Sequence, residues 1–370
     1  MPFARFMELA LYCPKLGYYE RKPDAIGQRG DYHTSVSVGP LFGELLAFQF
    51  AEWLEELPDP HPSHAPLKIV EAGAHDGKLA ADILAWLQHR RRKIFDRIEY
   101  HIIEPSELRR QWQAERLSGF AGKVKWADQT RYLWREWKGG YEPLLAGIMF
   151  SNELLDALPA DRMGWNAKAK KWFEWGVTYN GERFVWHKTL CRPSDNRIPK
   201  LPESLLAVLP DDYTVESGLR IENEWWRMAY PLRRGKLLTI DYGLSAQELF
   251  MPERVNGTLR AYHRHQVSDD LLAHPGEQDL TAHVNFTAVQ ATGEWWGLKT
   301  ERLCSQAQFL TDILRHASLP PRSTVDGSEA SPPEKYFIDL TAAQVRQFQT
   351  LTHPDHFGRA FRVLVQSCTP

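Results

Sequence analysis

The stretch Leu67 to Leu79 reads LKIVEAGAHDGKL, and the order of its residues decides the fold class. Apolar Leu67, Ile69 and Val70 form a strand that ends on an acid, Glu71. A tight run of small and polar residues follows, Ala72, Gly73, Ala74, His75, Asp76 and Gly77. A helix then opens, with Leu79, Ile83, Leu84 and Leu87 on one stripe. Strand, glycine turn and helix start in that order make a nucleotide-type cradle. Glycine permits close backbone approach, and the free N–H groups of a helix start favour an anionic group. The acid at the strand end suits a ligand that also carries an ammonium and a sulfonium, S-adenosylmethionine, better than a dinucleotide. Taken alone, the segment is equally readable as an ordinary strand-to-helix turn of an α/β protein.

Working outward, the chain downstream alternates strands and helices. Ile98 to Ile103 is a strand ending on Glu104, with a helix from Glu107; Val124 to Trp126 is a short strand with Asp128 just beyond it. The apolar run Leu144 to Phe150 leads into Ser151, Asn152 and Glu153, and Leu237 to Ile240 leads into Asp241, Tyr242 and Gly243. Apolar strands joined by helices indicate a mostly parallel sheet covered on both faces, with ligands beyond the C-terminal strand ends. Acids at successive strand ends are what a cationic ligand needs, although acids at loop starts are also common helix caps. The final third adds a strand at Gly297 to Cys304, helices at Gln306 to His316 and Ala342 to Leu351, and a closing strand at Phe361 to Gln366.

Upstream, helices at Phe3 to Leu11 and Leu41 to Leu57 flank a glycine-containing loop, and the Pro- and His-rich stretch Leu57 to Pro66 makes a linker. Between the fourth and fifth strands an insertion, Ala160 to Arg234, carries alternating segments Lys171 to Val177 and Arg183 to His187 around the turn Asn180-Gly181, then a helix near Ser217 to Ala229. The divisions expected are therefore an N-terminal helical and lid segment at 1–66, a cofactor-binding half at 67–159, an inserted substrate-side subdomain at 160–234, and the remainder at 235–370, with a loop-rich excursion at 245–279.

Composition narrows the function. The chain has 370 residues, 43% hydrophobic and 25% charged, a globular balance long enough for one large domain or two ordinary ones. A net charge of −2 argues against binding nucleic acid by bulk electrostatics. The basic run His89 to Lys93 falls at a helix C-terminus, where cations complement the dipole. The four cysteines form no CxxC pair, so a reducing compartment is expected and no metal site is. No run is long and apolar enough to span a bilayer, and MPFARFMELALY reads as an amphipathic helix rather than a signal or transit peptide. The expectation is a bacterial-type cytoplasm.

With those positions laid out, the chain resembles the MidA family of S-adenosylmethionine-dependent methyltransferases almost end to end. The resemblance rests on FMELALYCPKLGYY (Phe6 to Tyr19), GDYHTS (Gly30 to Ser35), FGELLA (Phe42 to Ala47), the glycine turn, SNELLDALP (Ser151 to Pro159), TIDYG (Thr239 to Gly243) and DLTAHVNF (Asp279 to Phe286). It implies a Rossmann-like class I methyltransferase, α/β, with a seven-stranded sheet and S-adenosyl-L-methionine across its C-terminal edge. It also implies methyl transfer to an arginine side chain of a protein, which for the mitochondrial members is a subunit of respiratory complex I. A protein substrate, no nucleic acid and no membrane insertion follow, and a homodimer is allowed. The family carries ELGPGRG where this chain has EAGAHDG, so His75 stands at the middle glycine. A positive φ there costs His on the order of 1 kcal/mol more than Gly.

On that resemblance the cofactor-binding residues are Glu71, for the ammonium; Gly73, His75 and Gly77, for the amino-acid part; Glu104, for the ribose; and Asp128, for the adenine amino group. Gly30, Asp31, Thr34 and Ser35, with Tyr32, form a lid, and Asp241 with Tyr242 completes the far wall. Glu153 and Asp156 are the expected catalytic carboxylates, with Asn152 beside them. Three apart, they would share one face of a helical turn and pair with the planar guanidinium fork; the plainer reading makes Asp156 a helix cap. His283 and Asn285 follow an expected N-cap at Thr281, so structural roles suit them as well as chemistry. A different class of function, an assembly or binding factor on the same scaffold without turnover, rests on His75 and the insertions. A nicotinamide dehydrogenase is disfavoured because the turn lacks GxGxxG spacing.

Overall fold

The computed structural model describes residues 1–21, 34–57, 66–137, 140–192, 194–263, 266–318 and 340–368. Gly30, Asp31 and Tyr32 of the expected lid, His61 and His64 of the expected linker, and the segment Pro320 to Pro333, which reads as Pro- and Ser-rich in the sequence, lie outside them. The chain divides into two compact units, one of residues 1–33, 153–230 and 241–297, the other of 34–152, 231–240 and 298–370. These cuts differ from the sequence divisions at 66/67, 159/160 and 234/235.

The second unit is built on a sheet whose strands we number β1 (Leu67–Ala72), β2 (Ile98–Ile103), β3 (Val124–Ala127), β4 (Leu145–Asn152), β5 (Leu232–Leu244), β6 (Lys299–Ser305) and β7 (Phe361–Cys368). Their order across the sheet is β6-β7-β5-β4-β1-β2-β3. β1 pairs in parallel with β2 and β4, β2 with β3, and β4 with β5, while β6 and β7 are antiparallel. This is the Rossmann-like class I methyltransferase arrangement. The closing strand expected at Phe361 to Gln366 is β7, and it sits inside the sheet, between β5 and β6. Its residues Phe361, Val363, Leu364 and Val365 are all buried, which an edge strand would not require.

Because the chain leaves β3 and returns to β4 on the other side of β1, the topological switch lies between β1 and β4, where ligands of such sheets bind. Both strands read as near-continuous apolar runs because both faces are covered. The helix Leu41–Glu55 supplies Leu41, Phe42, Leu45, Leu46 and Phe50, all fully buried, and the ring of Phe50 meets that of Phe150 on β4 at 5.0 Å. The basic run resolves as structure: Arg91 pairs with Glu52 at 2.5 Å and Glu55 at 2.8 Å.

The first unit is β-rich. Its four-stranded sheet contains the expected hairpin, Lys171–Tyr179 and Phe184–Leu190, with Asn180 Oδ1 accepting from the amides of Glu182 and Arg183 in the turn. The helix Phe3–Tyr12 buries Phe3, Phe6, Met7 and Leu11 in a cluster with Val177, Leu259, Ala261 and Leu280. A three-stranded sheet includes Arg260–His263 and Asp279–Thr281, and the short strand Val284–Asn285 pairs with Gly243 and Leu244, the part of β5 that belongs to this first unit. The helix after it, Phe286–Trp295, is capped by Asn285, whose Oδ1 accepts from the Ala288 amide at 3.2 Å. Thr281 is therefore a strand residue and not the cap.

Candidate functional site

The turn after β1 has the backbone its composition calls for. Gly73, His75 and Gly77 all have positive φ, at 76°, 46° and 81°. A Cβ on Gly77 would come within 3.3 Å of the Gln113 Cα, so both the conformation and the packing demand glycine. His75 adopts the left-handed conformation at the cost that its position implies, and the turn is otherwise intact. The helix Lys78–Arg90 begins immediately afterwards, and its N-cap Gly77 offers no side-chain cap.

At the end of β1, Glu71 is 2% exposed, and its Oε2 accepts a hydrogen bond from the Tyr100 hydroxyl at 2.7 Å. Burial pushes its pKa up to about 8, against the lowering effect of Tyr100. Among the described residues no cation is paired with it. Glu104, at the end of β2, is equally buried but already held: by Arg109 at 3.0 Å, by the Ser106 amide at 3.0 Å and by Gln113 Nε2 at 3.3 Å. Asp76 accepts from Arg116 at 2.6 Å and from the Lys78 amide at 3.0 Å. Its burial would raise the pKa, but His75, Arg116 and that amide outweigh it and bring it down to about 2.

Gln113, on the helix Glu107–Arg116, escaped the sequence reading. It is fully buried, and its Nε2 donates to the His75 carbonyl at 2.9 Å and to Glu104, while its Oε1 accepts from the Trp126 indole at 2.9 Å. One side chain thereby ties together the segments that follow β1 and β2 and strand β3. Asp128, beyond β3, is exposed. Thr34 and Ser35 are engaged within their own unit: Thr34 caps the helix Ser35–Val38, and the buried Ser35 hydroxyl donates to Gln306 at 3.1 Å.

In the first unit a second group of acids converges. The segment after Asn152 is a turn and not a helix, so Glu153 and Asp156 do not share a helical face and Asp156 caps nothing. Glu153 has φ 51°, a left-handed conformation that redirects the chain at once after β4. Tyr12 donates to the Ala157 carbonyl at 2.8 Å, and the Ala282 amide donates to the Asp156 carbonyl at 2.9 Å, so the turn is pinned from two sides. Asp156 and Asp241 are both buried and hydrogen-bonded to each other. Asp241 Oδ2 also accepts from the amides of Leu154 and Leu155, at 3.1 and 2.8 Å, and Oδ1 from that of Tyr242 at 2.8 Å.

Burial, with the nearby charges of Asp241, Asp279 and Glu153, raises the Asp156 pKa well above the carboxylate range. Burial also raises Asp241, to about 7, because its three amide donors hold it lower. Asp156 is thus the proton carrier of the pair and Asp241 the acceptor. Asp279, also fully buried, accepts from the Tyr19 hydroxyl at 2.8 Å. Neither Asp279 nor Tyr19 was singled out from the sequence, since one lies inside a strand and the other in an aromatic cluster. Tyr242 stacks nearly parallel to His283, whose pKa is lowered to about 4 by burial and by Arg254 and Arg260. Among the described residues no group of three or more His, Cys, Asp or Glu is arranged to hold a metal.

Residues 45–304 match a family described as "putative S-adenosyl-L-methionine-dependent methyltransferase". The chain belongs to that family. This methyltransferase is 27% identical to the mitochondrial protein arginine methyltransferase NDUFAF7 of Danio rerio, over 97% of this chain and 81% of the relative. It is 26% identical to the Drosophila melanogaster homolog, over 98% and 80%. Its fold is similar to that of a Burkholderia thailandensis protein crystallised with S-adenosyl-homocysteine: TM-score 0.77, 26% identity, 100% of this chain and 88% of that one. The resemblance to the MidA family is upheld, and S-adenosylmethionine is the cofactor. The residues of the turn are compatible with it: Glu71 is a buried acid with no cation paired to it among the described residues, and Gly73 and Gly77 hold the turn at positive φ ahead of a helix start, as suits a ligand carrying both an ammonium and a carboxylate. The expectation of a bacterial-type cytoplasm is corrected by these relatives, which are mitochondrial proteins. Among the described residues no helix is long and apolar enough to cross a membrane.

Proposed function

We propose that this methyltransferase transfers the methyl group of S-adenosylmethionine to a guanidinium nitrogen of a protein arginine, with a respiratory-complex subunit as the acceptor class. The observation that carries this reading is the Asp156–Asp241 pair: two buried, hydrogen-bonded carboxyls beside Glu153 and Asp279, with no cation paired to either Asp among the described residues. Such a group is unfavourable in the free protein and becomes favourable once a planar cation enters. A guanidinium satisfies several carboxylate oxygens at fixed angles, which a lysine ammonium does not. The curated relatives bear the words protein arginine methyltransferase.

In this reading Glu71 takes the cofactor's ammonium, the turn through Gly73, His75 and Gly77 takes its amino-acid end, and Glu104 its ribose, Arg109 and Gln113 fixing the carboxylate. Asp128, Gly30, Asp31, Thr34 and Ser35 stay as contacts proposed from the resemblance alone. The bound cofactor supplies a methyl group on a positively charged sulfur. Glu153 and Asp156, with Asn152 beside them, receive the acceptor guanidinium, and Asp241 fixes Asp156. In the transfer the nitrogen lone pair would form the new carbon–nitrogen bond as the carbon–sulfur bond breaks with its electrons left on sulfur, releasing S-adenosyl-homocysteine, and the nitrogen would lose one proton to the carboxylate group. Holding the two reactants in line contributes up to roughly 7–11 kcal/mol in well-oriented systems.

The test is transfer of labelled methyl to arginine-containing subunits and peptides, against the same peptides with lysine for arginine. Transfer confined to arginine, with turnover lost in Glu153→Gln and Asp156→Asn while S-adenosyl-homocysteine still binds, supports the reading. Unchanged turnover in both variants removes the catalytic assignment, and binding without transfer to any acceptor moves the function to an assembly factor.

A further inference from the structure

Glu71 and Tyr100 form a closed pair within the sheet. In the parallel register Ile69 lies opposite Tyr100 and Glu71 opposite Ile102. Alternation along the strands therefore places the Glu71 and Tyr100 side chains on one face, Tyr100 set back by two residues from the acid. The phenol spans that step, and its hydroxyl meets Glu71 Oε2 at 2.7 Å. Tyr100 is fully buried. Among the described residues it is the one hydrogen-bond donor to the Glu71 carboxyl. From β4 the neighbours of Glu71 are Met149, Phe150 and Ser151, none of them ionisable, and the charged group facing it from the turn is Asp76, of like sign.

We propose that Tyr100 is a positioning residue for the cofactor: its hydroxyl orients the Glu71 carboxyl and eases its ionisation as the ammonium arrives. This rests on the reading that Glu71 receives that ammonium. The direction of the hydrogen bond is fixed, because burial and the adjacent carboxylate raise the phenol pKa well above its ordinary value, so the proton stays on Tyr100. A donor to a carboxylate favours the charged form, whereas burial favours the neutral one. Without the phenol, the buried acid would give up its proton for an arriving cation at greater cost. Tyr100 was not singled out from the sequence, where it is one aromatic in an apolar strand.

The experiment is calorimetric titration with S-adenosyl-homocysteine, which keeps the ammonium and lacks the sulfonium, from pH 6.5 to 9. Wild type, Tyr100→Phe, Glu71→Gln and the double variant are compared. Tyr100→Phe keeps the ring and its packing. It is expected to weaken binding roughly tenfold at neutral pH, to recover at high pH, and to move the midpoint of pH-dependent binding up by about one unit. On the Glu71→Gln background it is expected to change nothing further. A merely structural Tyr100 would weaken binding equally at every pH and on both backgrounds. If Glu71→Gln weakens binding while Tyr100→Phe alters neither affinity nor midpoint, the proposal falls and the Glu71 reading stands. If Glu71→Gln binds as wild type, both fall. Replacing tyrosine with 3-fluorotyrosine, a stronger donor, keeps the native contacts and is expected to lower the midpoint; an unmoved midpoint overturns the proposal.

Discussion

At Glu153 the backbone and the chemistry pull in different directions. A non-glycine residue at φ 51° costs about 1–2 kcal/mol, and this one is also an acid beside Asp156. Glu153→Gly is therefore expected to stabilise the fold by about 0.5–1 kcal/mol after the entropy that glycine loses on folding, while turnover disappears. Urea unfolding together with methyl transfer checks both halves; a less stable variant would show that Glu153 is held by favourable contacts. The Asp156–Asp241 pair sets the pH dependence. With Asp241 at about 7 and Asp156 above the carboxylate range, an entering cation must displace a proton, so turnover is expected to rise with pH through about 7 and upward. A rate flat between pH 6 and 8 would contradict this. The acids at strand ends were legible because strand, acid and turn are contiguous in the chain. Asp279, Tyr19 and Tyr100 were not, because each acts through a partner more than a hundred residues away or on a neighbouring strand.

At the scale of elements, the cofactor turn is a product of its neighbours. Gln113 makes three hydrogen bonds to three segments. Gln113→Ala leaves buried groups without those bonds and is expected to destabilise the fold by about 2–3 kcal/mol. In addition, it should weaken S-adenosyl-homocysteine binding, since Glu104 and the His75 carbonyl lose their tether. Gly77→Ala should cost about 1–2 kcal/mol, because φ is 81° there and the Gln113 backbone leaves no slack. Thermal melts with and without ligand separate the two effects. The helices and strands expected from apolar periodicity lie within about five residues of the observed ones, the hairpin at Asn180-Gly181 included. The strands Arg260–His263 and Asp279–Thr281, in and at the end of the expected loop-rich excursion, were not expected, and neither was the helix Phe286–Trp295, beyond the cap placed at Thr281. The segment from Glu153 to Asp156 was misread as helical because spacing alone cannot report the positive φ that breaks the helix. Nothing about a glutamine in RRQWQAER marks it as the hub of three elements; only its burial does.

For the whole molecule, the buried acids govern stability against pH. Glu71 at about 8 and Asp241 at about 7 bind protons in the folded chain that an unfolded chain, titrating near 4, has lost. Between about pH 4 and 8 the folded state is the more protonated, so its stability falls as pH rises, at roughly 1.4 kcal/mol per unit for each group inside its window. Asp76, lowered to about 2, acts in the opposite sense: its contribution is present above about pH 4 and is lost on acidification. Stability is thus expected to peak in mildly acidic solution, and saturating S-adenosyl-homocysteine should flatten the alkaline decline. Denaturation at pH 5, 6.5 and 8 tests this, and stability that climbs over that range would refute it.

The placement of β7 has a further consequence, for synthesis. A ribosome delivers β5 and β6 well before Phe361–Cys368, yet those strands cannot become joined in the sheet until that final segment threads between them. Up to that moment the open side of β5 and both sides of β6 present unpaired amides and carbonyls, the template for aggregation. The nascent protein therefore stays vulnerable from the synthesis of β5 until Phe361–Cys368 has been made. A reading frame stopped just before Phe361 should give insoluble chains rather than a slightly shortened enzyme.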